Sequence, residues 1–284
     1  MKSIAHVIVM LLPISLFAQD CTIDVLDNPV VETQEGDPRV KLRNISNPQL
    51  LVFKPADGLN ARSAIVICPG GGYDYLSMEN EGYNVANWLT KMGVTAVILK
   101  YRLPDGTFDE DGGFRSLVDA QRAIERVRAN AAAWDVDPDK IGIMGFSAGG
   151  HLAASLSTHF TTSSRPNFSV LIYPVISLDE RITHQGTKNN VLGNNENFRA
   201  EYSNELKVNS NTPPAFLLHS QDDRSVSVQN SIRYYRQLLD HNVGGELHIL
   251  QYGGHGYGMA VGRNSVSHWP DILKAWLKRH SWAL

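Results

Sequence analysis

Apolar residues along this chain come in two rhythms. Short runs at 64–68, 94–99, 141–144, 170–173, 215–218 and 247–250 are nearly continuous and span four to six positions. Runs of that length with little polar alternation predict strands buried on both faces. Between them the period lengthens. Val85, Trp88, Leu89 and Met92 fall at i, i+3, i+4 and i+7, one face of a helix that Gly93 closes. Leu117, Ala120, Ile124, Val127 and Ala131 predict a longer helix, ending before Asp137-Pro138. Trp269, Ile272, Leu273, Trp276 and Leu277 predict a last one. Strands alternating with helices imply a mostly parallel sheet covered on both sides, the α/β class. Two stretches depart from the rhythm. Residues 20–48 are polar and irregular, with turn signals at Asp37-Pro38 and Asn47-Pro48; edge strands are expected around 40–42 and 50–53. Residues 177–212 are polar, rich in Asn and without a clear period. An insertion that long in a compact domain is usually functional.

The chemistry gathers at the ends of the predicted strands. The run at 141–144 leads into Gly145-Phe146-Ser147-Ala148-Gly149-Gly150 and then a helix-forming segment. Gly-x-Ser-x-Gly between a strand and a helix is the nucleophile elbow of α/β-hydrolases, a turn so tight that both flanks must be Gly. The bland alternative is a glycine-rich turn with a bystander serine, so the chain must also supply an oxyanion hole, an acid and a base. Pro69-Gly70-Gly71-Gly72-Tyr73 follows the run at 64–68. Its uncovered N–H groups suit an oxyanion hole, with Gly71, Gly72 and Ala148 as donors. Asp222 and Asp223 follow the run at 215–218, and His255 lies among glycines after the run at 247–250. Ser, Asp, His is the hydrolase chain order. In that arrangement the histidine takes the serine proton and a buried carboxylate fixes its tautomer. His151, His219 and His248 are expected to pack or to bind backbone. Arg102 and Asp119 are a candidate structural ion pair, and Glu81 suits a helix-capping or helix-dipole role. On these marks the 177–212 insertion lies where hydrolases carry a cap over the pocket.

With 284 residues, 43% of them hydrophobic, the chain can bury the core of one large domain. A formal charge of −3 without a basic cluster excludes nucleic acid as an expected partner. Two cysteines are too few for a disulfide scaffold or a cysteine-rich zinc site, and no metal or organic cofactor is implied. Cys68 is expected to pack, with a Cys21–Cys68 bridge left open. Met1-Lys2, the apolar run at 4–17 and the small residue Ala18 read as a signal peptide, leaving a catalytic domain at 19–284 that is secreted or periplasmic. The run is too short for a membrane anchor. Asp20 ahead of Cys21 is not the small residue that a lipidation site needs.

The motifs together resemble a family. Pro69-Gly70-Gly71-Gly72-Tyr73, Glu81-Gly82, Lys100-Tyr101-Arg102-Leu103-Pro104, Asp137-Pro138 and Gly145-Phe146-Ser147-Ala148-Gly149-Gly150-His151 resemble secreted bacterial α/β-hydrolases grouped with acetylxylan esterases. These hemicellulose side-chain esterases are related to the hormone-sensitive-lipase-like enzymes. The resemblance continues through Gly193, Thr212-Pro213-Pro214-Ala215-Phe216, Asp223 with Val226, and Gly254-His255-Gly256. It implies a serine esterase removing short acyl groups, acetyl foremost, from carbohydrate, with Ser147, Asp223 and His255 as the triad. The family's spacing from His219 favours Asp223 over its neighbour Asp222. Pro69 stands where lipase-like relatives carry His, which weakens a lipase reading. Ser220 stands where the acid loop commonly has Gly, with no catalytic consequence expected. The alternatives are a feruloyl esterase, a general short-chain carboxylesterase or a lipase. A peptidase of the prolyl-oligopeptidase type is disfavoured because nothing ahead of the domain forms a gating propeller. A non-catalytic binding protein is disfavoured by the complete set of catalytic groups. The implied partner is an acylated oligo- or polysaccharide; the oligomeric state is not fixed.

Overall fold

The computed structural model describes residues 19–27, 37, 40–260, 262–263 and 265–284. The expected signal peptide at 1–18 lies outside the described residues, as does Pro38 of one turn signal. In chain order the strands and helices are β1 (Cys21–Asp24), β2 (Lys41–Leu42), β3 (Gln49–Phe53), β4 (Ser63–Cys68), β5 (Leu76–Ser77), α1 (Asn84–Thr90) and β6 (Val94–Lys100). Then come α2 (Arg115–Ala129), β7 (Ile141–Phe146), α3 (Ser147–Thr158), β8 (Phe168–Ile172) and α4 (Gln185–Leu192). The last are β9 (Ala215–Ser220), α5 (Gln229–Asp240), β10 (Gly245–Leu250) and α6 (Trp269–Arg279). A π-helical turn at Glu79–Tyr83 runs directly into α1.

The main sheet is eight-stranded, in the order β1-β3-β6-β4-β7-β8-β9-β10. The pairs β1/β3 and β3/β6 are antiparallel; every pairing from β6 to β10 is parallel. β2 and β5 form a separate two-stranded ribbon. The continuous apolar runs are buried throughout β4, β6, β7, β8 and β9, as helices on both faces require, whereas the run at 247–250 lies in the outermost strand β10 and is only half-buried. This is the α/β-hydrolase architecture. Parallel strands deliver their C-terminal ends to one edge, where ligands bind in open α/β sheets. Cys68 of β4 lies opposite Gly145 of β7, and Ser220 of β9 opposite Leu250 of β10. The Gly70–Gly72 loop, the expected oxyanion loop, therefore leaves the sheet beside the serine turn, and the Asp222-Asp223 loop beside the His255 loop.

Several elements were not apparent in the apolar pattern, among them β1, α4 and α5. β1 is only half-buried at the sheet edge, so it has no core-like run. α4 lies inside the 177–212 insertion and buries Thr187, Lys188, Val191 and Leu192, a stripe half polar. α5 buries Asn230, Ser231, Tyr234 and Leu238. Its inward face is stabilised by hydrogen bonds, with Asn230 Oδ1 accepting from the N–H groups of Ile176 and Ser177 at 2.9 Å. A hydrophobicity period does not register such a face.

Cys21 and Cys68 are both free. β3 and β6 lie between their strands, a span of about 14 Å at normal strand spacing. That is roughly twice the reach of a disulfide. Arg102 and Asp119 do pair, at 2.6 Å, with the Asp119 side chain fully buried. His248 of β10 bonds Glu246 and lies against the Phe216 ring.

His151, in the first turns of α3, is buried without a charge partner. Its Nδ1 accepts from the Tyr73 hydroxyl at 3.1 Å and its Nε2–H donates to the Tyr202 carbonyl at 3.0 Å. The neutral ring thus satisfies both nitrogens while tying the oxyanion loop to the insertion. Burial pushes its pKa down to about 4. A histidine in the unfolded chain binds its proton near 6.5. Between those values the unfolded state holds more protons, so stability falls as pH falls, by about 3 kcal/mol in all. In urea unfolding, the stability gap between wild type and His151→Asn should shrink by about that amount from pH 7 to pH 4. A gap constant over that range would show that His151 does not carry this linkage.

Candidate active site

The serine turn is built by close backbone approach. A Cβ on Gly149 would lie 2.1 Å from the Cys68 carbonyl oxygen and 2.5 Å from that of Pro69. A Cβ on Gly145 would lie 2.1 Å from the Gly149 carbonyl oxygen. Both flanking glycines are therefore required, as the motif implies, and α3 seats directly on the end of β4. Ser147 is held at φ 52°, the left-handed region that non-glycine residues seldom occupy. That strain turns its hydroxyl out of the helix line toward the strand ends.

Ser147, His255 and Asp223 form one hydrogen-bonded chain. The Ser147 hydroxyl lies 2.8 Å from His255 Nε2, and His255 Nδ1 lies 2.6 Å from Asp223 Oδ2. The carboxylate fixes the proton on Nδ1 and leaves the Nε2 lone pair facing the hydroxyl. Asp223 has a fully buried side chain. Its Oδ1 accepts from the N–H groups of Ser225 and Val226 at 2.9 Å. Burial pushes the Asp223 carboxyl up, but hydrogen bonds from His219 and His255, the His255 charge and the Val226 N–H outweigh it. The group is held well below the usual carboxylate range and stays ionised.

The neighbouring acid has a different task. Asp222 Oδ1 accepts from the N–H groups of Gly253 and Gly254 at 2.9 and 2.8 Å, pinning the loop that carries His255. His219 bonds the Val226 carbonyl through Nε2 and Ser231 through Nδ1, as a packing residue would. Its Nε2 also lies 3.3 Å from Asp223 Oδ2, a contact the sequence did not reveal. Ser220 packs against the same loop, where a Cβ on Gly253 would lie 2.3 Å from its hydroxyl.

The Gly70–Gly72 segment lies against the elbow. A Cβ on Gly70 would fall 2.6 Å from the Phe146 carbonyl oxygen and 3.0 Å from Ser147 Cβ. Among the described residues, the loop's hydrogen bonds engage the Gly70 N–H and the carbonyls of Gly70, Gly71 and Gly72, and leave out the N–H groups of Gly71 and Gly72. Ala148 stands in the first turn of α3, where N–H groups have no intrahelical acceptor. Three donors are thus available beside Ser147. The Tyr101 hydroxyl anchors the start of this loop, donating to the Pro69 carbonyl at 2.6 Å.

Glu81 does not cap a helix. It is buried beneath the oxyanion loop, where Oε2 accepts from the Gly70 N–H at 2.8 Å and Oε1 from the Tyr173 hydroxyl at 2.7 Å. Tyr173 in turn accepts from the Gly258 N–H at 2.9 Å, and Asn80 Nδ2 donates to the Gly256 carbonyl at 3.1 Å. The π-helical turn therefore clamps the oxyanion loop and the histidine loop together. Burial pushes the Glu81 carboxyl up, and the Tyr173 and Gly70 hydrogen bonds partly offset this. No local pattern marks an acid for such a role, because its partners lie 11, 92 and 174 positions away, respectively Gly70, Tyr173 and (facing it electrostatically) His255.

These groups open on a cavity of about 450 Å³. The insertion reaches it through His184, Gly186 and Asn190, and Asn190 Nδ2 donates to the Gly72 carbonyl at 2.9 Å. Tyr75 supplies the one large ring other than histidine, and no described lining residue is aliphatic. Among the described residues no cluster of three or more His, Cys, Asp or Glu could hold a metal ion, and no helix is long and apolar enough to cross a membrane. A hydroxyl aligned on an imidazole, an imidazole aligned on an ionised carboxylate, and N–H donors nearby are the parts needed for acyl transfer through a covalent intermediate.

Known proteins agree with this architecture. The sequence profile of the prolyl oligopeptidase family matches residues 107–282. An acetylxylan esterase of Xylanibacter ruminicola is 38% identical over 248 residues, covering 84% of this chain and 50% of that protein. Endo-1,4-beta-xylanase B of Butyrivibrio fibrisolvens is 31% identical over 226 residues, covering 75% of this chain and 35% of that protein. The chain thus spans about half the length of the first of these relatives and about a third of the second. A crystal structure of an acetyl ester-xyloside bifunctional hydrolase from Caldicellulosiruptor lactoaceticus superposes with a TM-score of 0.81 at 34% identity. That match covers 95% of this chain and 100% of the other. With the profile spanning the elbow and the three strands after it, and whole-chain likeness to an acetyl ester hydrolase, the chain belongs to the prolyl oligopeptidase family of α/β-hydrolases and is a homologue of acetylxylan esterase.

Proposed function

We propose that this protein is a serine esterase that removes short acyl groups, acetyl foremost, from xylan-type oligo- or polysaccharide. The observation that carries the reading is the unbroken Ser147–His255–Asp223 chain opening on a cavity with no aliphatic side chain among its described lining residues. Ser147 Oγ attacks the ester carbonyl carbon as its proton passes to His255 Nε2, and Asp223 stabilises the imidazolium. The N–H groups of Gly71, Gly72 and Ala148 bind the oxygen as it gains charge. His255 then gives the proton to the departing sugar oxygen, leaving an acyl-serine that water cleaves by the same steps in reverse. The names of the acetylxylan esterase and acetyl ester-xyloside hydrolase relatives support the substrate class. The family match favours a second reading, a peptidase, which has the same triad order. The N-terminal apolar run supports export with removal of residues 1–18, giving a secreted or periplasmic enzyme.

Three measurements bear on this reading. Ser147→Ala and His255→Ala should each lower kcat by about 10⁴–10⁶-fold with the thermal transition retained. Asp223→Asn should cripple turnover, while Asp222→Asn costs much less because Asp222 holds only a loop. Either alanine variant retaining a tenth of wild-type activity would remove its residue from the triad, and a reversed order of the two aspartate effects would move the acid by one position.

An acyl series of aryl esters, run beside acetylated xylo-oligosaccharide and a peptide amide, tests the substrate. Each methylene that meets an apolar wall gains about 0.8 kcal/mol, and one left among polar groups gains little. Activity should therefore peak at acetyl and short acyl esters and fall steeply with length. Preference for chains of about eight carbons or more, with no acetate released from sugar, would favour a lipase; faster cleavage of the peptide amide would favour the peptidase.

For export, intact mass of the protein recovered outside the cytoplasm of a bacterial host should correspond to a start near Gln19 without lipid. A diacylglycerol adduct on Cys21, or an uncleaved chain, would refute it.

A further inference from the structure

His184, a residue the triad does not use, stands in the same cavity as Ser147 and His255. It is the N-cap of α4, and its Nδ1 accepts from the Thr187 backbone N–H at 3.1 Å. The Thr187 hydroxyl also lies 3.0 Å from Nδ1. A backbone N–H can only donate, so Nδ1 carries a lone pair. The ring is then neutral with its single proton on Nε2. Burial pushes the His184 pKa down, in keeping with a neutral ring. Its position is equally constrained. A Cβ on Gly72 would lie 3.3 Å from His184 Cε1, and one on Gly186 would lie 3.0 Å from it. The ring is therefore set closely between the oxyanion loop and the first turn of α4. Among the described residues nothing accepts a hydrogen bond from its Nε2–H.

We propose that His184 is a specificity-determining residue, whose Nε2–H donates a hydrogen bond to an oxygen of the sugar that carries the acyl group. This rests on the carbohydrate-esterase reading above. A second base is excluded by the tautomer, because the nitrogen left to face the substrate already bears its proton. The carbonyl oxygen of the ester has the N–H groups of Gly71, Gly72 and Ala148 beside it. What remains in need of a donor is the alcohol side of the ester, where a sugar presents hydroxyl and ring oxygens. His184 is half-buried on the cavity wall; once a bound sugar excludes water there, a donor left unpaired is costly, so the site rejects alcohols lacking the acceptor.

Two variants separate the donor from the cap. His184→Asn keeps an oxygen where Nδ1 stood, and Asn is among the best N-caps, but it is too short to reach the cavity. His184→Gln extends an amide N–H toward the position of Nε2 and gives up the cap. Kinetics on acetylated xylo-oligosaccharide and on 4-nitrophenyl acetate, with thermal midpoints for each protein, read both roles. The Asn variant should keep the midpoint and lose about 10- to 100-fold more kcat/KM on the sugar ester than on the aryl ester. The Gln variant should lower the midpoint and restore most of the preference for the sugar ester. An equal loss on both esters, or no loss on the sugar ester with Asn, would overturn the proposal. So would a Gln variant that fails to restore the preference. If wild type itself releases no acetate from the sugar, the carbohydrate reading fails first and the role of His184 falls with it.

Discussion

The contact on which the rest depends is the seating of α3 on the end of β4. Gly149 sits so close to the Cys68 and Pro69 carbonyls that a single added carbon has no room. Because Cys68 is in register with Gly145, the same contact brings the glycine loop alongside Ser147. One backbone approach thereby sets the distance between the Ser147 hydroxyl and the N–H groups of the glycine loop. Rigid elements hold such distances better than loops do, and here the two partners leave adjacent central strands buried on both faces.

Around this contact the protein buries two carboxylates, Asp223 and Glu81, and gives each several hydrogen-bond partners. Asp223 receives two backbone N–H groups and two histidine rings; Glu81 receives a backbone N–H and a tyrosine hydroxyl. A buried charge without such partners would cost several kcal/mol. With them, each carboxylate becomes a fixed point that two or more loops share. Asp222 pins the histidine loop from one side, and the π-helical turn pins it from the other through Asn80 and through the Glu81–Tyr173–Gly258 relay. Loops from β4, β8, β9 and β10 behave as one frame because their ends are cross-bonded rather than merely near.

The insertion joins that frame through three contacts of different kinds. His151 bonds the Tyr202 carbonyl, Asn190 bonds the Gly72 carbonyl, and the His184 ring packs on Gly72. All three lead to the oxyanion loop or to the tyrosine at its end. The residues that would surround the sugar are thus mechanically tied to the residues that would polarise the ester. A polar insertion suits this arrangement, since its own backbone needs partners and the cavity it lines needs donors.

The amino-acid sequence by itself determined the central strands of the sheet, their mostly parallel sense, the serine turn and the order of the loops that carry Ser147, Asp223 and His255. These follow from short-range rules: unbroken apolar runs, glycines where backbones must touch, and chemistry at strand ends. Edge and inward-facing polar elements escaped it. β1 is half-exposed, and α4 and α5 bury Thr187, Lys188, Asn230 and Ser231, residues that a hydrophobic period cannot count. The choice between Asp222 and Asp223 as the neighbour of His255 differs by one position in the chain and is decided by which carboxylate the loop turns inward. Glu81, His184 and the second face of His219 belong to the same class, with roles set by partners far away in sequence. Local propensity encodes which elements form and in what order; only packing brings their polar side chains together, because hydrogen bonds between loops exist once the strands are side by side and not before.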